Sequence, residues 1–144
     1  MNPQLSAMLY LWAKLRMAHH LYWTLHWQAK GPSFQGDHTL FGDLYEARIH
    51  EIDGLAELIA GHFGSAQLDP VRAWAMAQEC ITSAVSAPTP VAIAEMVLEA
   101  VEEANEACME GKFPAGTTNF ISDVGTHHLK DLYKLQQRFG ALSK

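Results

Sequence analysis

Cysteine is scarce in this 144-residue chain: only Cys80 and Cys108 occur. They are far apart and neither neighbours a histidine, which excludes a disulfide framework and reads as two structural thiols. Positive charge is short as well, with 10 Lys and Arg against 16 Asp and Glu and a formal charge of −6. An acidic chain repels phosphate, so binding nucleic acid requires a local basic patch. The run Met1–Ala13 contains no Lys or Arg, so neither a basic arm nor the positive region of a secretory signal is expected there. Long apolar runs are missing too: the stretch from Leu5 is broken by Lys14 and Arg16, which excludes a membrane span. Strand-like alternation, internal repeats, low-complexity tracts, a Walker loop, a GxGxxG fingerprint and a Ser/His/Asp arrangement are all absent. These absences leave a soluble, cytoplasmic, helical protein as the expectation.

What is present fits one globular domain over residues 1–144. Hydrophobic residues make up 49% and charged ones 18%, and a chain of this length buries roughly two thirds of its unfolded surface. Leu5, Met8, Trp12, Leu15, His19, Tyr22 and His26 recur at three- and four-residue steps, predicting a first helix that Lys30-Gly31-Pro32-Ser33 ends. A second opens near Asp37 and runs through Phe41, Leu44, Tyr45, Ile49, Ile52, Leu55, Ala56 and Ile59 to Gly61 and Gly64. Asp69-Pro70 predicts the start of a short helix through Trp74, Met76 and Ala77, and Pro88-Thr89-Pro90 resets the chain. A third long helix carries Ala94, Val97, Val101, Ala104 and Cys108 on one face and Glu95, Glu99, Glu102, Glu103 and Glu106 elsewhere. After a turn at Gly111–Gly116, a fourth places Ile121, Val124, His128, Leu132, Leu135 and Phe139 on a stripe ended by Gly140. The expected fold is an all-α four-helix bundle with a short extra helix between helices two and three.

Eight histidines raise the question of metals. His26, His38, Asp53 and Glu57 offer two imidazoles and two carboxylates, a donor set suited to iron or zinc. At a rise of ~1.5 Å per residue, His38 and Asp53 lie roughly 22 Å apart along one helix and cannot share an ion within one subunit. Their directions differ by only about 60°, so both can face one partner. In an antiparallel hairpin His26 and His38 lie level. An isologous dimer with antiparallel second helices would then bring each histidine pair onto the mate's Asp53 and Glu57, if these are ligands.

The run His26-Trp27-x-x-Lys30-Gly31-Pro32-x-Phe34, with His38 twelve residues after His26 and Asp53-x-x-Ala56-Glu57 fifteen beyond His38, resembles the Dps family of miniferritins. The resemblance implies a ferritin-like bundle assembled as a dodecameric shell from two-fold dimers. It implies ferroxidase centres at the dimer interfaces, which oxidise Fe(II) with hydrogen peroxide or dioxygen, and a ferric core stored inside. His26 and His38 would be ligands from one subunit, with Asp53 and Glu57 from its mate. Trp27 would take up oxidising equivalents or simply pack at the interface. One position departs: many members carry an acidic residue four places after the second histidine, where this chain has Gly42, which leaves one or two irons per site open.

Two rivals stand beside an oxidoreductase. One is a DNA-compacting protein, for which Lys130, Lys134, Arg138 and Lys144 are the available cations. The other is a cage whose interfacial site holds structural Zn(II), which such ligands bind at least as tightly as Fe(II). His19 and His128, on apolar stripes, are expected to be buried and structural. His20, His50, His62 and His127 are expected at a surface or cavity, and the acidic helix face in solvent.

Overall fold

A computed structural model describes residues 2–84 and 89–140 of the chain, and the described residues are helical with short connections. The helices are α1 (Pro3–Gln28), α2 (Phe34–Phe63), α3 (Pro70–Ala84), α4 (Pro90–Glu110) and α5 (Ala115–Phe139), with a single 3₁₀ turn at Ser65–Leu68. Their ends follow local chemistry. The Asn2 side chain accepts from the backbone N–H of Gln4 and Leu5 ahead of α1, at 2.8 and 3.0 Å. Asp69 caps α3 through the Arg72 N–H, and Thr89 caps α4 through the Ala92 N–H, each followed by a proline that needs no N–H partner. The predicted short helix is longer than its apolar signal, reaching fifteen residues. Helix α2 passes through Gly61 and stops at Gly64 (φ 95°). Pro88 and Lys144, used in the sequence reading, lie outside the described residues.

Each packed pair of long helices is antiparallel. Trp12 Nε1 donates to the Ile52 carbonyl between α1 and α2, and Gln4 at the start of α1 donates to Ala107 near the end of α4. Asn105 donates to Ser122 between α4 and α5. Arg138 at the end of α5 pairs with Asp37 at the start of α2. Helices α1, α2, α5 and α4 therefore close a ring, each touching the next. Since α4 restarts at the opposite end from where α2 stops, the intervening chain must travel the length of the bundle. Helix α3 makes that passage while packing against α1.

The core is drawn from all five helices and includes Met8, Leu15, Tyr22, Leu55, Ile59, Ile93, Val97, Ile121 and Leu135. Helix α1 sits between α2, α3 and α4, and its middle from Leu11 to Ala18 is buried apart from the half-buried Arg16. The acidic residues Glu95, Glu99, Glu102, Glu103 and Glu106 of α4 face solvent. Among the described residues no helix is long and apolar enough to cross a membrane.

Candidate metal centre

The α1–α2 turn positions the two histidines. Helix α1 stops at Gln28, and Gly31 takes φ 83°, a left-handed conformation that glycine adopts without a Cβ clash. The Phe34 N–H closes the turn on the Gly31 carbonyl at 3.0 Å. Ser33 donates to Asp37 at 2.8 Å, and Arg138 from α5 donates to the other oxygen of that carboxylate. The hairpin is thus clamped from within and by the C-terminal end of α5, which lies beside it.

This brings His26, in the last turn of α1, level with His38, near the start of α2. Their rings stack with centroids 3.7 Å apart. His26 Nδ1 donates to the His38 carbonyl at 2.6 Å, and His38 Nδ1 donates to the His26 carbonyl at 2.9 Å. A carbonyl oxygen only accepts, so each Nδ1 carries the proton and each Nε2 keeps its lone pair. A metal-binding histidine is ordinarily fixed this way, with one nitrogen tied to the protein and the other left to ligate. Among the described residues neither Nε2 has a protein partner. Phe34 stacks on His38 and Tyr45 meets His26 edge-on. A Cβ added at Gly42 would sit 3.2 Å from Cε1 and Nδ1 of His26. The bare backbone at that position lets the imidazole lie against α2.

Asp53 and Glu57 lie farther along the same continuous α2, both exposed. The fold brings the two histidines together and leaves the two carboxylates apart from them. Among the described residues no group of three or more His, Cys, Asp or Glu is placed to hold a metal. Between the pairs runs an outward stripe, His38, Gly42, Tyr45, Ile49, Asp53 and Glu57, at helical spacing. Its surroundings are apolar: Ile49 is 50% exposed, Trp27 61% and Trp74 57%. Trp23 packs on both Trp27 and Tyr45. A groove of about 570 Å³ opens here between α1, α2 and α3, with Trp12, Trp23, Ile49, Asp53 and Trp74 on its walls. Helix α2 is therefore apolar on two sides, one toward the core and one toward solvent.

His19 bonds the Tyr45 carbonyl at the groove and is only partly buried. His128 is fully buried, as its apolar stripe implied. His20, His50, His62 and His127 are exposed, although His62 meets Thr117 at 2.8 Å.

The bundle core also holds a charged cluster that residue polarity in the sequence does not reveal. Arg48 and Glu51, both buried, occupy the inward stripe of α2 with Phe41, Leu44, Leu55 and Ile59. Arg48 pairs with Glu51 and with Asp131 of α5, and His128 meets Glu51 at 3.0 Å. The available signal was spacing: positions 41, 44, 48, 51, 55 and 59 continue one helix face through two charges. Desolvation holds the His128 imidazole below its ordinary value of 6.5 despite the Glu51 contact. Burial alone would raise the Glu51 carboxyl, but hydrogen bonding from His128 and the Arg48 charge bring it below its usual range. Neutral His128 therefore donates from Nε2 to ionised Glu51.

The unfolded chain then binds more protons than the folded one as acid is added, so stability rises with pH across this window. Denaturant midpoints should fall as pH drops below about 6.5, first through His128 and then through Glu51. His128→Gln, which cannot take up that proton, should flatten the first part of the fall. An unchanged profile in the variant would place the acid sensitivity elsewhere.

Compared with known proteins, the chain matches no family model, no curated protein and no solved structure.

Proposed function

We propose that this chain is the subunit of a cytoplasmic, Dps-like miniferritin, a cage that oxidises Fe(II) and stores the ferric product. The observation that carries the reading is the reciprocal His26–His38 pairing, which presents two Nε2 lone pairs side by side on one hairpin. The antiparallel ring with one length-wise crossover supports a ferritin-like bundle, since that class carries one long connection of this kind. The second apolar side of α2 supports a homo-oligomer, because a second copy would cover it.

In this reading two subunits meet through antiparallel α2 helices, and the stripe from His38 to Glu57 pairs with its own copy. Each histidine pair then receives the mate's Asp53 and Glu57. The imidazoles hold Fe(II), the carboxylates offset its charge, and Trp23, Trp27 and Ile49 exclude water from the seam. Each Fe(II) gives up one electron. Peroxide takes two electrons and two protons and leaves as two waters, and dioxygen is the alternative acceptor. Position 42 is glycine and supplies no carboxylate, and a side chain there would press on the His26 ring, 3.2 Å from its Cβ. The cage would be a dodecamer built from such dimers.

Anaerobic Fe(II) loading followed by peroxide or dioxygen, read by ferric absorbance, tests the reading. The wild-type protein should oxidise Fe(II) well above the rate in buffer, and His26→Ala/His38→Ala should not. Equal rates in the two proteins would remove the histidine pair from the chemistry. Zn(II) that binds the wild type while Fe(II) is not oxidised would favour the structural-zinc cage.

DNA compaction is the weaker alternative. Arg138 is engaged with Asp37, leaving Lys130 and Lys134 as the exposed cations of that described helix end. The assembled protein should not shift duplex DNA at physiological salt and neutral pH. Tight binding with a steep salt dependence would contradict this and implicate that end of α5.

A further inference from the structure

The groove between α1, α2 and α3 holds a positive charge that nothing on its walls answers. Helix α1 contributes Trp12, Arg16 and Trp23 to it, α2 contributes Ile49 and Asp53, and α3 contributes Trp74. Arg16 is the one Lys or Arg among the described residues that line it. The residue is half-buried, with its guanidinium over the Trp12 ring, 4.9 Å from the centroid. Arg48 and Arg138 each pair with carboxylates. Among the described residues Arg16 has no hydrogen-bond or ion-pair partner, and Asp53 does not supply one although it shares the groove. Stacking occupies the face of a guanidinium and leaves its N–H edge free to take a carboxylate through two parallel bonds.

The other lining residues suit a flat ring. Trp23 and Trp74 are exposed, and an indole receives a second aromatic ring in offset or edge-on contact. A concavity of about 570 Å³, with mostly apolar walls and few polar groups, has the form of a small-ligand site. We propose that this groove binds a small aromatic carboxylate, its ring among the indoles and its carboxylate on the Arg16 guanidinium. A second copy is the competing occupant, because Ile49 and Asp53 also belong to the outward stripe of α2. Arg16 and Trp12 stand on α1 and Trp74 on α3, beside that stripe. Covering Arg16 with apolar side chains would desolvate a charge without pairing it, whereas a carboxylate ligand pairs it. The inference uses no metal and does not rest on the iron reading.

The test titrates the metal-free full chain with naphthoate and with neutral naphthalenemethanol, followed by calorimetry. The wild type should bind one naphthoate per chain, at least ~10-fold more tightly than the alcohol. Arg16→Gln should bring the two affinities together. Asp53→Asn removes the groove's own negative charge and should widen the gap, which tests the charge argument independently if Arg16→Gln does not fold. Trp74→Ala should weaken both probes alike. Equal affinities in the wild type, a preference for the acid that survives in Arg16→Gln, or a gap that does not widen in Asp53→Asn overturns the proposal. So does naphthoate affinity that falls as rising protein concentration drives assembly, because a second copy would then fill the groove. Iron oxidation is not read, so failure here leaves the histidine pair to its own experiment.

Discussion

Refolding two inactive variants together should restore roughly a quarter of wild-type iron-oxidising sites. One variant carries His26→Ala and His38→Ala, the other Asp53→Ala and Glu57→Ala. Alone, each should lose rapid Fe(II) oxidation, because every composite site lacks half its ligands. Random association makes about half of the dimers mixed. In each mixed dimer one site combines both damaged halves. The other combines intact histidines from one chain with intact carboxylates from its mate. One working site in two, in about half the dimers, returns about a quarter. A site completed within a single chain recovers nothing, since every chain carries a lesion. Zero recovery in mixed dimers verified by mass spectrometry would sink the two-subunit arrangement. The separation of the pairs along α2 makes the experiment decisive: no rotamer change carries Asp53 across ~22 Å to His38 of its own chain.

The helices were legible because their signals are local. Apolar steps of three and four residues, the Asp69-Pro70 cap and Gly64 each act within a turn or two, and the described helices respect them. Helix α3 outran its prediction because Ala73, Ala77 and Cys80 form a narrow buried stripe against α1, and small residues leave little trace in an apolar pattern. Helix α2 shows the opposite difficulty. Its apolar residues cover two sides, so reading them as one stripe merged the inward Phe41, Leu44, Leu55 and Ile59 with the outward Tyr45 and Ile49. Arg48 and Glu51 were hidden by that merger, since polarity alone assigns such residues to solvent. The level placement of His26 and His38 followed from hairpin geometry. The reciprocal bonds to each other's carbonyls did not, because they depend on side-chain rotamers and on the backbone space at Gly42.

Removing Glu51 should have the largest effect on stability of any single change in the core. Glu51 meets Arg48, His127 and His128 together. In Glu51→Ala the buried guanidinium keeps only Asp131, and His128 Nε2 loses its acceptor inside the bundle. Breaking a buried ion pair from one side costs about 3–5 kcal/mol, because the remaining charge stays desolvated. Against a native stability of roughly 5–15 kcal/mol, that is enough to unfold a large share of a marginal chain. The attraction itself is not the source of the loss. Replacing both partners, Arg48→Met with Glu51→Leu, removes two charges and leaves apolar side chains on the same inward stripe. Asp131, with side-chain exposure of 14%, then lacks its counter-charge but water can reach it, and His128 Nε2 lacks its acceptor as it does in Glu51→Ala. The double variant should therefore recover most of the stability lost in Glu51→Ala. Denaturant midpoints at one fixed protein concentration measure both proteins without confusing folding with assembly. A double variant as unstable as Glu51→Ala would mean that the cluster contributes net attraction to the bundle rather than a desolvation cost held in balance.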